Sequence, residues 1–255
     1  MLIKKPLRYI KPFIKKCIIP NYYDPFLYEE MISLGYDVVL LNDKNKLLLN
    51  DKDSIELMIV DTGVNHDSSA IINIDSKIFV NQNDCKIFDR LSYLENIKVD
   101  YYAVQFSGAT WHPACYEIDE VEKKKISKKK VLSKLVAVRN AIKKIKPRYY
   151  IPSAGPAVFP FLNTDLSLGI DNIFVHQPDI QNFLKNTDVE VVCLKPGNSF
   201  DANIKNKIKP VKPPSILELK SLKEKLSCEF YTYQDKDFIP EKLIKAVLAR
   251  LEKIK

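Results

Sequence analysis

The chain has 255 residues, 46% of them hydrophobic, and carries 40 Lys and Arg against 32 Asp and Glu, a formal net charge of +8. That is enough apolar content to bury a core in one or two globular domains. Five cysteines (Cys17, Cys85, Cys115, Cys193, Cys228) with no Cys-x-x-Cys spacing argue against a disulfide framework or a structural zinc site, and an N-terminus interrupted by Lys and Pro builds neither a signal sequence nor a membrane span. The expectation is a soluble cytoplasmic protein with reduced thiols.

In chain order, "DPFLYEEMISLGYDVVLLND" predicts a helix carrying Phe26, Leu27, Met31 and Leu34, stopped at Gly35, then a strand over 37–41. "KLLLN", "IELMIV" (55–60), "SAIINI" (69–74) and "KIFVN" (77–81) predict a meander of four short strands, with a hairpin about Asp75-Ser76. A helix over "FDRLSYLENI", a strand over 100–105 and a Gly-containing loop, "FSGATWHPACY", follow. From about Asp119 to Lys146, Val131, Leu135, Val138, Ile142 and Ile145 recur at helical spacing, and Pro147 ends the pattern. "RYYIP" predicts a strand and "DIQNFLKNTDVEVVCLKPG" a helix then a strand. Pro210, Pro213 and Pro214 mark a linker, and "IPEKLIKAVLARLEKIK" predicts a C-terminal amphipathic helix. This order suits a mixed α/β sheet covered by helices on both sides.

The lysines concentrate at 122–130 ("EKKKISKKK") and in the last fifty residues, without interleaved aromatics or a nucleic-acid module. Solvated helix faces account for them; an anion-binding surface is the alternative. A nucleic-acid partner is not expected.

Three places carry chemistry. His66, Asp67 and Asp84 stand just before one hairpin strand and just after its neighbour, so they can converge at one end, where imidazole with carboxylates suits zinc or iron. Equally, Asp67 and Ser68 read as turn residues and Asp84 as a cap for a helix near Phe88. In "QFSGATWHP", Gln105, Ser107, Trp111 and His112 are placed to line a pocket, although Trp111 also reads as core and His112 as an exposed loop residue; no Gly-x-Ser-x-Gly elbow surrounds Ser107, so serine hydrolysis is discounted. "YYIPSAGP", with Ser153, and "KPGNSFD", with Lys195, are strand-to-loop junctions where amides and a lysine can meet a phosphate or carboxylate; tight turns are the plainer reading. His176, in "NIFVHQPD", reads as structural.

The ordered set "DTGVNHDSSAIINIDSKIFVNQNDC", "QFSGATWHPACY", "KKIKPRYYIPSAGP" and "CLKPGNSFD" resembles the metallo-β-lactamase-fold part of the CMP-N-acetylneuraminate monooxygenase family and its bacterial relatives, over roughly residues 10 to 205. The resemblance implies an αββα sandwich with a dinuclear-type metal site at the strand ends, and a separate Rieske iron–sulfur domain that feeds electrons. It implies Asp84 as a metal ligand, with Asp67 and His66 at the position before the preceding strand. Gln105 and Ser107 would face the pocket, and the segments holding Ser153 and Lys195 would shape the substrate side.

Two departures temper that expectation. The chain has no His-x-His-x-Asp-His motif and no paired Cys-x-His and Cys-x-x-His Rieske ligands. The expectation is therefore an N-terminally incomplete metallo-β-lactamase-like sandwich over 1–205, with linker and C-terminal helix over 206–255. Its divalent-metal site, iron or zinc, would be incomplete, and this chain would hold no Rieske cluster. The implied activity is a hydroxylase or hydrolase acting on a nucleotide-activated or acidic sugar. The alternative is a non-catalytic fragment that needs a partner chain to supply the missing motif or electrons. An incomplete sandwich should also leave apolar residues exposed near "VVLL" and "IELMIV".

Overall fold

The computed structural model describes residues 7–234 except 9, 64, 109, 111, 115, 156–172, 196, 197, 203–211, 213 and 214, and for 226–234 the backbone alone. The chain divides into two compact units, Met1–Ala157 with Asp171–Pro213, and Val158–Ile170 with Pro214–Lys255.

In the first unit a 3₁₀ turn (Lys11–Phe13) precedes β1 (Cys17–Pro20), α1 (Phe26–Ser33) and β2 (Val38–Leu41). β1 and β2 pair in parallel as a two-stranded sheet. Gly35, at φ +77°, turns the chain from helix to strand in a conformation that L side chains rarely adopt.

A seven-stranded sheet follows, with its strands side by side in chain order: β3 (Lys46–Leu48), β4 (Ser54–Asp61), β5 (His66–Ile74), β6 (Lys77–Asn83), β7 (Tyr101–Gln105), β8 (Tyr149–Ser153) and β9 (Glu190–Val191). β3 to β6 run antiparallel and β6 to β9 parallel. Asp75 and Ser76 join β5 to β6 with both φ positive, at 50° and 61°, as a two-residue turn matched to strand twist requires. Parallel neighbours need crossovers, which is why the β7–β8 connection carries α2 (Glu120–Ile145) and the β8–β9 connection carries α3 (Gln177–Phe183).

Alternation along β4 decides the layers. Met58 and Val60 join Val80, Tyr102, Val104 and Tyr150 in a core covered by Leu135, Val138 and Ile142 of α2 and Ile180 of α3. Leu57 and Ile59 face the other way and pack with Leu41 and Ile18 of the small sheet. On that sheet's far face Ile19 clusters with Met31 of α1 and Leu34 at its C-terminal cap. The layers therefore run helix, sheet, sheet, helix, with the second sheet only two strands wide, a mixed α/β sandwich of the αββα kind.

α2 is the best specified element. Asp119 caps it by accepting from the amides of Val121 and Glu122, Glu120 and Glu122 occupy the first turn, and Lys143 and Lys144 the last. Lys146, at φ 54°, ends it before Pro147.

Two expectations are corrected. "FDRLSYLENI" makes only a 3₁₀ turn, Leu91–Leu94, because Arg90 at its N-cap supplies no side-chain cap and a helix this short is marginal without one. Arg90 instead reaches the carbonyl of Ile59 and both carboxylate oxygens of Asp43. "IELMIV" is not left bare either: Leu57, Met58 and Ile59 are buried, two of them beneath β1 and β2. In "VVLL", by contrast, Leu40 is 41% exposed as expected, and Phe13, at 80%, and Tyr23, at 92%, are exposed on either side of β1; Leu48 and Ile74 of the large sheet and Leu132 of α2 are exposed too.

In the second unit, α4 (Ile216–Gln234) opens with a reciprocal cap in which Ser215 Oγ accepts from the Glu218 amide and Glu218 accepts from the Ser215 amide. This helix begins directly after the proline cluster, where only a linker was expected. The amphipathic segment from Pro240 onward lies outside the described residues. No helix among the described residues is long and apolar enough to cross a membrane.

Candidate functional site

The parallel strands β6 to β9 all end at one edge of the sheet, and antiparallel β5 begins there, so the topology alone gathers His66, Asp67, Asp84, Gln105, Ser107, Ser153 and Lys195 at that end. Such an edge, at the carboxyl ends of parallel strands, is where open α/β sheets place their ligands.

His66 and Asp67 do not precede β5; they are its first two residues. Adjacent strand residues point to opposite faces, so they do not converge as expected. His66 pairs across the strands with Asp61, its Nδ1 lying 3.0 Å from Asp61 Oδ1, and its ring stands 5.3 Å from that of Tyr22. This is the side of the small sheet. The Tyr23 and Gly63 amides, and to a smaller extent His66, hold the Asp61 carboxyl below its ordinary range.

Asp67 lies on the α2 side. Its carboxyl is pushed up, first by burial, against the opposing effect of the Ser68 amide 2.8 Å away, and pushed up further by the charge of Asp84. Cys85 is hydrogen-bonded to Asp67, and burial with both aspartates pushes its thiol up to about 12. A thiol so protonated is a poor nucleophile or metal ligand. Asp84 itself is an exposed turn residue that accepts from Asn83 Nδ2 at 3.0 Å; no helix follows for it to cap. Among the described residues no group of three or more His, Cys, Asp or Glu is placed to hold a metal ion.

Gln105 is nearly buried and bridges two elements: its Oε1 accepts from Lys134 Nζ of α2, and its Nε2 donates to the Ala154 carbonyl at 3.3 Å. It stands opposite Ser153 in the β7–β8 register. Ser107 is fully buried, and a Cβ on Gly155 would come within 2.7 Å of its own Cβ, so glycine is what lets the two strand-end loops touch. The Oγ atoms of Ser107 and Ser153 are both buried without a hydrogen-bond partner among the described residues. His112 packs edge-on against Tyr116 at 4.9 Å, and its carbonyl accepts from Lys130 at 2.7 Å. Lys195 is exposed in a turn closed by Asn198, and His176 caps α3 through Asp179. Trp111 lies outside the described residues. A surface cleft of about 620 Å³, lined by Lys44, Arg90, Tyr93 and Asn96 among others, contains none of these residues.

Lys134 is the residue that sequence reasoning missed. Burial lowers its pKa, and so does Lys86; Asp84 pulls the other way. Its signal was its place beside Val131, Leu135 and Val138 on the core-facing stripe of α2. Lys130 occupies the same stripe and holds the "GATWHP" loop, while Lys123 and Lys125 pair with Glu120 and Glu122 on the solvated side. The basic segment is thus part solvated face and part support for the loop that follows β7.

No family model matches the chain. It is 25% identical over 150 residues to a Mycolicibacterium smegmatis protein described as a Rieske 2Fe-2S iron–sulfur protein; the match covers 56% of this chain and 29% of that protein's length. Among solved structures it is similar to the metallo-β-lactamase fold protein YhfI of Bacillus subtilis, at a TM-score of 0.46 and 11% identity, covering 77% of this chain and 70% of that one. A Zn-dependent hydrolase of the metallo-β-lactamase superfamily from Thermotoga maritima follows at a TM-score of 0.36 and 10% identity, covering 70% of this chain and 89% of that one.

Proposed function

We propose that this chain is a metallo-β-lactamase-like domain, related to the CMP-sialic acid hydroxylases, that contributes Asp67 and Asp84 to a divalent-metal site of zinc or iron completed by ligands from another segment or a partner chain. Its substrate would be a nucleotide-activated or acidic sugar, and its reaction hydroxylation or hydrolysis. The observation that carries this reading is the carboxylate pair at the strand ends, where Asp67 is half-buried and destabilised by Asp84 as two metal ligands are before their ion arrives. The described residues alone do not fit a tightly held ion, since two carboxylates beside a protonated thiol fall short of a ligand set. No chemical step is therefore assigned to a metal in this chain. The cytoplasm is the proposed compartment, in keeping with the free thiols of Cys17, Cys85 and Cys193.

A second reading rests on Lys134 and Lys86, whose charges already act on the carboxylates. In it the chain is a non-catalytic member in which lysines take the place of the ion. Metal analysis separates the two. After dialysis against zinc or ferrous buffer, the first reading expects weak binding of less than one ion per chain, lost in Asp84→Ala without loss of fold. No binding at any concentration leaves the second reading, and a tightly held pair of ions overturns both.

A further inference from the structure

We infer that the carboxyl ends of β7 and β8, together with Lys134 of α2, form a subsite for an anionic group of a small molecule, a phosphate or a carboxylate. The inference deepens the reading above by giving Lys134, Ser107 and Ser153 one shared role on the substrate side.

Three observations on neighbouring elements converge. The ammonium of Lys134 is partly buried, yet its hydrogen-bond acceptor is the neutral amide oxygen of Gln105, and among the described residues no carboxylate stands within ion-pair distance of it. A cation withdrawn from water is costly without a close counter-ion; Lys86 adds to that cost, and the charge of Asp84 offsets only part of it. Directly opposite Gln105 on β8, Ser153 has its Oγ buried and without a hydrogen-bond partner among the described residues. Two residues beyond Gln105, Ser107 is 0% exposed and its Oγ too lacks a partner among the described residues.

A buried hydroxyl left unmet is costly, so two on adjacent strand ends beside an ammonium with no ion-pair partner among the described residues are poor packing for an empty corner. They are the donors that an anion takes: three N–H of a lysine, one of them already used by Gln105, and two hydroxyl rotors. Gly155 keeps the β8 loop against Ser107 and so holds the two hydroxyl-bearing segments together. Lys134 and Ser153 are partly exposed, which leaves the corner open from solvent.

The test titrates the full chain with inorganic phosphate and, separately, with glucuronate, followed by calorimetry and amide chemical shifts. EDTA is present throughout, so the outcome is independent of whether a metal site exists. Saturable binding is expected. Lys134→Met should weaken it by about tenfold or more, and the Ser107→Ala, Ser153→Ala double variant by roughly threefold to tenfold. Lys123→Met, which removes a charge paired on the solvated side of α2, should leave it unchanged. Saturation by phosphate alone assigns a phosphoryl group and by glucuronate alone a carboxylate. If Lys134→Met does not fold, the serine double variant decides. The inference is overturned if neither probe saturates, if the serine variants bind as the parent does, or if Lys123→Met loses as much as Lys134→Met.

Discussion

On the α2 side of the large sheet, nineteen buried residues from five strands, two helices and the intervening turns form one continuous cluster; on the other side, Leu41, Leu57 and Ile59 form a cluster of three beneath a two-stranded sheet. The same strands thus have one face sealed by a capped 26-residue helix and another covered by a thin layer whose outer residues Phe13 and Tyr23 stand in solvent. Stability should be distributed accordingly. A layer with few buried apolar side chains opens locally at lower free energy than the core it covers.

Core truncations break this comparison most directly. Phe106→Ala, at a fully buried position on the helix side, should cost about 3–5 kcal/mol in denaturant unfolding, whereas Leu41→Ala should cost about 2 kcal/mol, the low end of the usual range, because its cluster is small and able to collapse. Amide exchange gives the same contrast without mutation: β1 and β2 should exchange before β6, β7 and β8. Equal costs together with equal protection would mean that the sandwich unfolds as one unit.

Arg90 offers an intermediate effect. Its guanidinium joins the turn after β6 to Asp43, which in turn accepts from the amide of Ile59, so a single side chain fastens the corner between β2 and β3 to the large sheet. Arg90→Ala should cost about 1–3 kcal/mol, and should accelerate exchange in β2 more than in β7. An unchanged exchange rate in β2 would show that the thin layer is held by its apolar contacts alone.

The elements on the helix side were legible in the sequence, whereas the covering of "IELMIV" by the small sheet was not. The alternation of "IELMIV" and "SAIINI", the Asp75-Ser76 turn and the stripe from Val131 to Ile145 gave the meander and α2, because period and turn chemistry are local signals. The site was less so. Motif order located its end of the sheet, but the one-residue question of whether His66 lies before β5 or within it decides on which face His66 falls, and pairing with Asp61 is a non-local fact. Lys134 had a local signal in its place on the stripe beside Val131, Leu135 and Val138, but its bond to Gln105 of β7 is again a non-local fact. The Arg90 turn was read as a helix because Leu91 and Leu94 bury at helical spacing, which a 3₁₀ turn shares.

The smallest effects sharpen the comparison at the site itself, where two aspartates on opposite faces of the sheet end are perturbed in opposite directions. Asp61 is held below its ordinary value chiefly by the Tyr23 and Gly63 amides, and Asp67 above it chiefly by burial. A folded-state pKa below the unfolded one contributes stability above the unfolded value, lost as pH falls through the folded value; Asp61→Asn should therefore lower the Tm at pH 7, with the loss fading in acid. For a raised pKa the sign reverses. The contribution of Asp67 is fully present below the unfolded carboxyl value of about 3.9 and is lost as pH rises through its raised folded value. At pH 7 its charge is a net cost, and Asp67→Asn, which keeps an acceptor for the Ser68 amide, should raise the Tm slightly, with no difference from the parent below about pH 3.5. Melting both variants across pH 3 to 8 checks this. A stabilisation at neutral pH would mark Asp67 as a charge that the fold alone does not favour, as expected of a carboxylate kept for a ligand; a loss of stability at pH 7 would show instead that its hydrogen bonds to Ser68 and Cys85 outweigh its burial, and would make it a structural residue of β5.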